Sequence, residues 1–263
     1  MSYGDGVFTT LLIQGGAPLF LRRHLDRLVR DATLIKLPTP DIAQIEKEIR
    51  SALVKGQDGI LKLLMTRGQG GRGYLPPSHP VPTRIMYLFP PKRDGASQHP
   101  GLVATYSKTV LGFSPSLAGI KHLNRLEQVL ARSELEGLSV DEGLMRDSED
   151  FVVEGTMSNL FGVQGGRVLT PLLDRCGVRG VMRDLVIDAL RSEFGMIVQE
   201  VRLKPSDLAQ CDEVFLTNGV MGIQPVVKLD QRNYPEGALT RSLRDWLKDE
   251  QHREVNAWRC CND

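Results

Sequence analysis

Apolar positions along the chain recur with two periods, and these predict most of its elements. Residues 7 to 13 (VFTTLLI) read as a strand, with Gly15-Gly16 as the turn into a second one, Pro18 to Leu21. Leu25, Leu28, Val29, Ala32 and Ile35 then fall at i, i+3, i+4, i+7 and i+10, an amphipathic helix ending near Pro38. Ile42, Ile45, Ile49 and Leu53 mark a second helix, with Asp41 as its N-cap. Strands follow at 60–66 and 84–89, separated by a glycine- and proline-rich loop too long for a hairpin turn. A proline-bounded connector occupies 90–101, Leu102 to Val110 is a strand, and Leu111 to Leu117 reads as an interdomain linker.

Beyond the linker, Leu123, Leu126 and Leu130 recur at helical spacing up to Gly137, which places Lys121 at a helix start. Strands at 142–146, 151–154, 159–163 and 167–170 form a meander, with Gln164-Gly165-Gly166 as one tight turn. A helix from Val181 to Phe194, a strand at 197–202, a short helix at 205–210 and a strand at 213–217 come next. A last helix spans Leu239 to Lys248, and the tail from Gln251 to Asp263 lacks a pattern, so it is expected to be loose. No internal repeat is present. Strands and helices mixed in two blocks predict an α+β protein of two domains.

Composition narrows the function classes. A chain of 263 residues, 41% hydrophobic, buries a sizeable core, and a net charge of +1 gives no basic footprint for nucleic acid. No apolar run reaches bilayer length, and MSYGDGVFTT lacks the regions of a signal peptide. Cys176, Cys211, Cys260 and Cys261 have neither metal-ligand spacing nor the density of a disulfide framework. The expectation is a reduced, soluble, cytoplasmic protein that binds no metal, membrane or nucleic acid.

Several stretches carry chemistry. Lys121 follows a small apolar approach, where desolvation would make its amine a nucleophile; a surface lysine at a helix start reads the same. Gly68, Gly70 and Gly73 satisfy G-x-G-x-x-G, but prolines follow where a dinucleotide fingerprint needs a helix. Arg27, in HLDRL, sits on the polar side of the first helix, where such residues are often solvated. In GVRGVMRD, Gly180 lets the backbone turn, and the N–H groups of Val181 and Met182 open a helix, an anion site or an ordinary turn. Glu154 ends an apolar strand before Gly155, Thr156 and Ser158. G-x-S-x-G, H-E-x-x-H and P-loop motifs are absent, and His122 is the one histidine in a suggestive place.

The stretch GIKHLNRLEQVLARSELEG, residues 119 to 137, resembles the cofactor-lysine segment of the class IV (fold type IV) pyridoxal-phosphate enzymes. These include branched-chain and D-amino acid aminotransferases and 4-amino-4-deoxychorismate lyase. Residues His122, Asn124, Arg125, Glu127 and Gln128, with Gly4-Asp5-Gly6-Val7-Phe8-Thr9-Thr10, are worded most like the lyase branch; many aminotransferases carry an acid where Thr9 stands. The resemblance implies a two-domain fold: an N-terminal α/β domain at 1–110, the linker, and a cofactor-binding domain at 118–263. It implies that Lys121 holds pyridoxal 5'-phosphate and that Glu154 keeps a proton on its ring nitrogen. Arg27, Gly180, Val181, Met182, Asn218 and Gly219 would face its phosphate. Arg72, in the loop RGQGGRGY, would contact a substrate carboxylate, and Thr10 would present a hydroxyl to the reacting side.

The implied reaction converts 4-amino-4-deoxychorismate to 4-aminobenzoate and pyruvate, with Lys121 as general base, in a homodimer. The alternatives are a D-amino acid or branched-chain aminotransferase, or a cofactor-free binding protein on the same fold. Family members usually carry a strand and turn before the GDG segment, whereas this chain begins at Met1-Ser2-Tyr3, so the first strand is expected to be missing or the start to lie upstream.

Overall fold

The computed structural model of the chain describes residues 3–91 and 101–260. These gather into two compact units: 3–91, 120–124 and 248–260 form the first, and 101–119 and 125–247 the second. Helices with two sheets make up the α+β class expected.

In the first unit, β1 (Gly6–Gln14) and β2 (Ala17–Pro18) lead into α1 (Leu21–Leu34) and α2 (Ile42–Ala52), followed by β3 (Gly59–Thr66) and β4 (Thr83–Phe89). The sheet runs β2-β1-β3-β4, antiparallel throughout. Side chains alternate along β1, so Val7, Thr9, Leu11 and Ile13 are buried while Phe8 and Thr10 lie on the other face. On α1 the apolar stripe of Leu25, Leu28 and Ala32 is buried, as its spacing predicts. Asp41 caps α2 by accepting the Gln44 N–H at 3.0 Å. The strand expected at 18–21 shortens to two residues. Phe20 turns to φ 54° and donates its N–H to Glu254 at 3.1 Å, so the helix begins at Leu21.

The second unit holds β5 (Leu102–Tyr106), α3 (Leu126–Ser133), β6 (Glu142–Arg146), β7 (Val152–Gly155), β8 (Asn159–Gln164), β9 (Arg167–Pro171) and α4 (Val181–Ser192). It continues with β10 (Val198–Val201), α5 (Pro205–Leu208), β11 (Glu213–Asn218), β12 (Gly222–Leu229), β13 (Arg232–Asn233) and the first part of α6 (Ala238–Cys260). The sheet order is β10-β9-β8-β11-β12-β5-β6-β7, with β13 on β12. Stacked Phe161 and Phe215, 4.9 Å apart, lie fully buried on neighbouring strands.

Several expectations need correction. The four strands from 142 to 171 are two hairpins apart in the sheet, not one meander, because β8 pairs with β9 and β11. The turn between the hairpins is pinned on Glu142, whose carboxylate accepts the Thr156 N–H at 3.1 Å, its hydroxyl, and the Ser158 hydroxyl at 2.8 Å.

The unit boundaries also differ from those expected at 110 and 117. β5 pairs in parallel with β6 and β12, and Leu111, buried, donates its N–H to the Arg146 carbonyl at 2.8 Å. The segment 111–117 is therefore folded into the second unit. Of the expected connector, 92–100 lies outside the described residues.

The helix expected from Lys121 begins only at Leu126, and Leu126 and Leu130 point away from the core. The tail is not loose as far as Cys260: α6 continues there, with Val255 buried and Trp258 beneath the Arg50 guanidinium at 4.3 Å. Val255 and Trp258, a single helical turn apart, are the large apolar residues between 251 and 260, too short a run to give a readable period.

Candidate active site

Lys121 lies in an extended segment rather than at a helix start. The Phe8 N–H donates to the Lys121 carbonyl at 3.0 Å, the Leu123 N–H to the Gly6 carbonyl at 3.0 Å, and Val7 bridges His122. The lysine is thereby stitched alongside β1, and its Nζ stands 4.5 Å from the Phe8 ring centroid. From the other side, Asp31 of α1, 1% exposed, accepts the Lys121 N–H at 3.0 Å and the Arg30 guanidinium at 2.8 Å. Backbone and carboxylate together fix where the amine starts.

Arg27 is buried, not solvated, and its Nη2 donates to Thr9 Oγ1 at 2.7 Å. The same hydroxyl lies 2.7 Å from His24 Nδ1. Burial, then the cations Arg27 and Lys121, holds the His24 pKa well below its ordinary value, so this imidazole is neutral near pH 7. Thr10 is half-buried on the Phe8 face of β1, opposite Thr9. Strand alternation thus divides the two threonines, and sequence reasoning chose Thr10 while passing over Thr9, His24 and Asp31. The i, i+3, i+7 spacing of His24, Arg27 and Asp31 was the available signal for a single polar stripe.

In the second unit, Glu154 is 4% exposed. One carboxylate oxygen accepts the Val178 N–H at 2.8 Å, and the other lies 3.5 Å from the Gln128 amide nitrogen. The strand end therefore meets the loop before α4. That helix starts at Gly180 with no side-chain cap, and Val181 and Met182 are buried in its first turn. Gly180 has an ordinary φ of −74°, so freedom to turn is not what demands glycine. Close approach is: a Cβ there would lie 2.1 Å from Asn159 Oδ1, which accepts the Gly180 N–H at 3.1 Å. Asn159 also donates to the Val178 carbonyl at 2.8 Å, so one side chain frames the helix start.

Asn218 and Gly219 sit where β11 turns back to β12. The Asn218 amide is engaged locally, accepting the Val220 and Met221 N–H groups at 2.9 and 2.7 Å and donating to the Met157 carbonyl at 3.2 Å. Next to it, the Thr217 hydroxyl is buried with no partner. Arg72 is exposed on the loop between β3 and β4, and no helix follows the glycines there, as the prolines forbid. Arg67, at the loop's base, is tied instead to Asp5 at 2.5 and 2.9 Å and to the carbonyls of Ile35 and Lys36.

The family model for amino-transferase class IV matches residues 6–229. The aminodeoxychorismate lyase of Vibrio harveyi is 37% identical over 92% of this chain and 90% of its own length. A putative branched-chain-amino-acid aminotransferase of Methanocaldococcus jannaschii is 34% identical over 94% and 87%. Among solved structures, that of 4-amino-4-deoxychorismate lyase from Pseudomonas aeruginosa superposes with a TM-score of 0.87 at 42% identity, covering 94% of this chain and 92% of that one.

Proposed function

The chain belongs to the amino-transferase class IV family, and from that premise we propose that it is a pyridoxal-phosphate-dependent lyase. It converts 4-amino-4-deoxychorismate to 4-aminobenzoate and pyruvate, a step serving folate synthesis. The observation that carries the reading is the Lys121 amine over Phe8. Residues 4–10 and 120–124, taken from the two stretches worded like the lyase, meet in the first unit, stitched by backbone hydrogen bonds.

The donor set fits the cofactor by its chemistry. Lys121 offers a primary amine for an aldehyde, and Arg27 a buried guanidinium for a phosphate. Gly180, Val181 and Met182 offer a helix start without a side-chain cap, Asn218 and Gly219 a turn beside the unpartnered Thr217 hydroxyl, and Glu154 a buried carboxylate for the ring nitrogen. When bound, pyridoxal phosphate supplies an electron sink for charge developing at the carbon that bears the substrate's amine.

The chain's own residues do the rest. Lys121 Nζ takes the proton from that carbon, a contribution of ~10²–10⁴-fold for a well-placed base. Glu154 keeps a proton on the ring nitrogen. Thr10 and Lys121 are the groups available to give a proton to the departing enolpyruvyl group, and Arg72 meets a substrate carboxylate. Aromatisation makes the loss of pyruvate downhill. Two copies form the working enzyme, a reading supported by the exposed apolar side chains of α3, where Leu126 is 69%, Val129 60% and Leu130 51% exposed.

The test generates 4-amino-4-deoxychorismate in situ from chorismate and glutamine with a partner synthase and follows 4-aminobenzoate and pyruvate. D-alanine and L-leucine are offered in parallel with 2-oxoglutarate. Stoichiometric release of both products is the expected result. Efficient glutamate formation without 4-aminobenzoate would replace the lyase by an aminotransferase, the activity named for the 34% identical relative.

A further inference from the structure

We propose that Thr9 and His24 are positioning residues for Arg27, forming a directional hydrogen-bonded chain that orients its guanidinium toward a phosphate. The inference rests on the reading that Arg27 serves the phosphate end of pyridoxal phosphate.

Donor chemistry fixes its first step. A guanidinium only donates, so at 2.7 Å Thr9 Oγ1 is the acceptor of Arg27 Nη2. In the proposed chain the Thr9 hydroxyl gives its hydrogen to His24 Nδ1, also at 2.7 Å, so that this nitrogen accepts and the imidazole proton sits on Nε2. Such a chain needs an uncharged histidine. His24 is 2% exposed, and both its burial and the neighbouring cations disfavour protonation. Thr9 is fully buried among Val7, Leu11 and Ile13 on the inner face of β1, so its hydroxyl has no water to turn towards.

Because a guanidinium is planar, fixing Nη2 restricts the plane in which the remaining N–H groups lie. A carboxylate at position 9 would orient the fork equally well but would neutralise it. A hydroxyl orients without neutralising, which suits a doubly charged phosphate.

The full-length chain is reconstituted with pyridoxal phosphate and, separately, with pyridoxal, which has the same ring and aldehyde but no phosphate. Dissociation constants are measured for wild type, Thr9→Val, Thr9→Ser, His24→Leu, Arg27→Ala and the Thr9→Val, Arg27→Ala pair. Thr9→Val keeps the side-chain shape and should weaken pyridoxal phosphate by about tenfold, the worth of a charge-assisted hydrogen bond, with pyridoxal unchanged. Thr9→Ser should stay within about twofold, and His24→Leu should fall between them. In the Arg27→Ala background, Thr9→Val should have no further effect, because its action passes through the missing side chain.

Unchanged affinity in Thr9→Val beside a large loss in Arg27→Ala would overturn the inference and leave the phosphate reading standing. Equal weakening of pyridoxal, or an undiminished effect in the double variant, would reduce Thr9 to packing. Unchanged affinity in Arg27→Ala would remove the phosphate reading itself, and the inference with it.

Discussion

In α1, Leu25 and Leu28 are each 1% exposed; in α3, Leu126 is 69% and Leu130 51% exposed, although both pairs stand at helical spacing. The two helices differ as much on their polar sides. α1 buries His24, Arg27 and Asp31, each with a named partner on β1 or the Lys121 segment. α3 buries Gln128 and Ala131 and turns its apolar face outward. Spacing reports that an apolar face exists, not what covers it. In α1 the cover is the chain's own sheet; for α3 no cover lies within the described residues, and a second copy is the one proposed above.

The contrast makes graded predictions. Leu28→Ala removes a buried side chain and should lower stability by about 2–5 kcal/mol in denaturant melts. A cost under ~0.5 kcal/mol would mean that α1 is not a core helix. Asp31→Asn keeps the shape but weakens the grip on Arg30 and on the Lys121 amide. A loss of roughly 1–3 kcal/mol is expected, with turnover reduced even at saturating cofactor. Normal turnover in a stable variant would free Lys121 of its dependence on α1.

A pH experiment comes next in size. His24 is neutral when folded and takes a proton near its ordinary pKa when unfolded. Stability is therefore level above about pH 6.5 and falls as pH drops below it, by at most ~1.4 kcal/mol per pH unit, down to the folded pKa. His24→Leu should flatten that limb relative to wild type, and a parallel limb would show that another group drives it. Smallest of all, Leu130→Ala, melted at a concentration where copies are separate, should cost under ~0.5 kcal/mol. It should still raise the concentration at which sedimentation detects dimer, and no change there would leave the α3 face unassigned.

Much of this architecture was legible. Periodicity located β1, α1, α2 and β3 to within a few residues, and the Asp41 cap and the Gly165-Gly166 hairpin followed from turn chemistry. The wording around Lys121 pointed to the right family, but the helix assigned to it did not form there. Residues 120–124 gain more by pairing along β1 than by extending α3, and only tertiary contact decides that. Thr9 was passed over for a related reason. A threonine among apolar residues looks like strand filler until His24 and Arg27 are brought opposite it. The parallel pairing of β5 with β6 and β12 was likewise hidden, since each partner lies tens of residues away in sequence.

The Asn159–Gly180 contact has a consequence for anyone who randomises this protein. At 2.1 Å, any side chain added at 180 meets the amide that frames the start of α4, so Gly180→Ala alone should displace Asn159 and lose its two hydrogen bonds. Shortening position 159 at the same time removes the collision, at the expense of the two hydrogen bonds. Fitness at these positions is therefore conditional: what is tolerated at one depends on what occupies the other. Single-site scanning would overstate the constraint at 180, and a paired library would reveal its dependence on position 159.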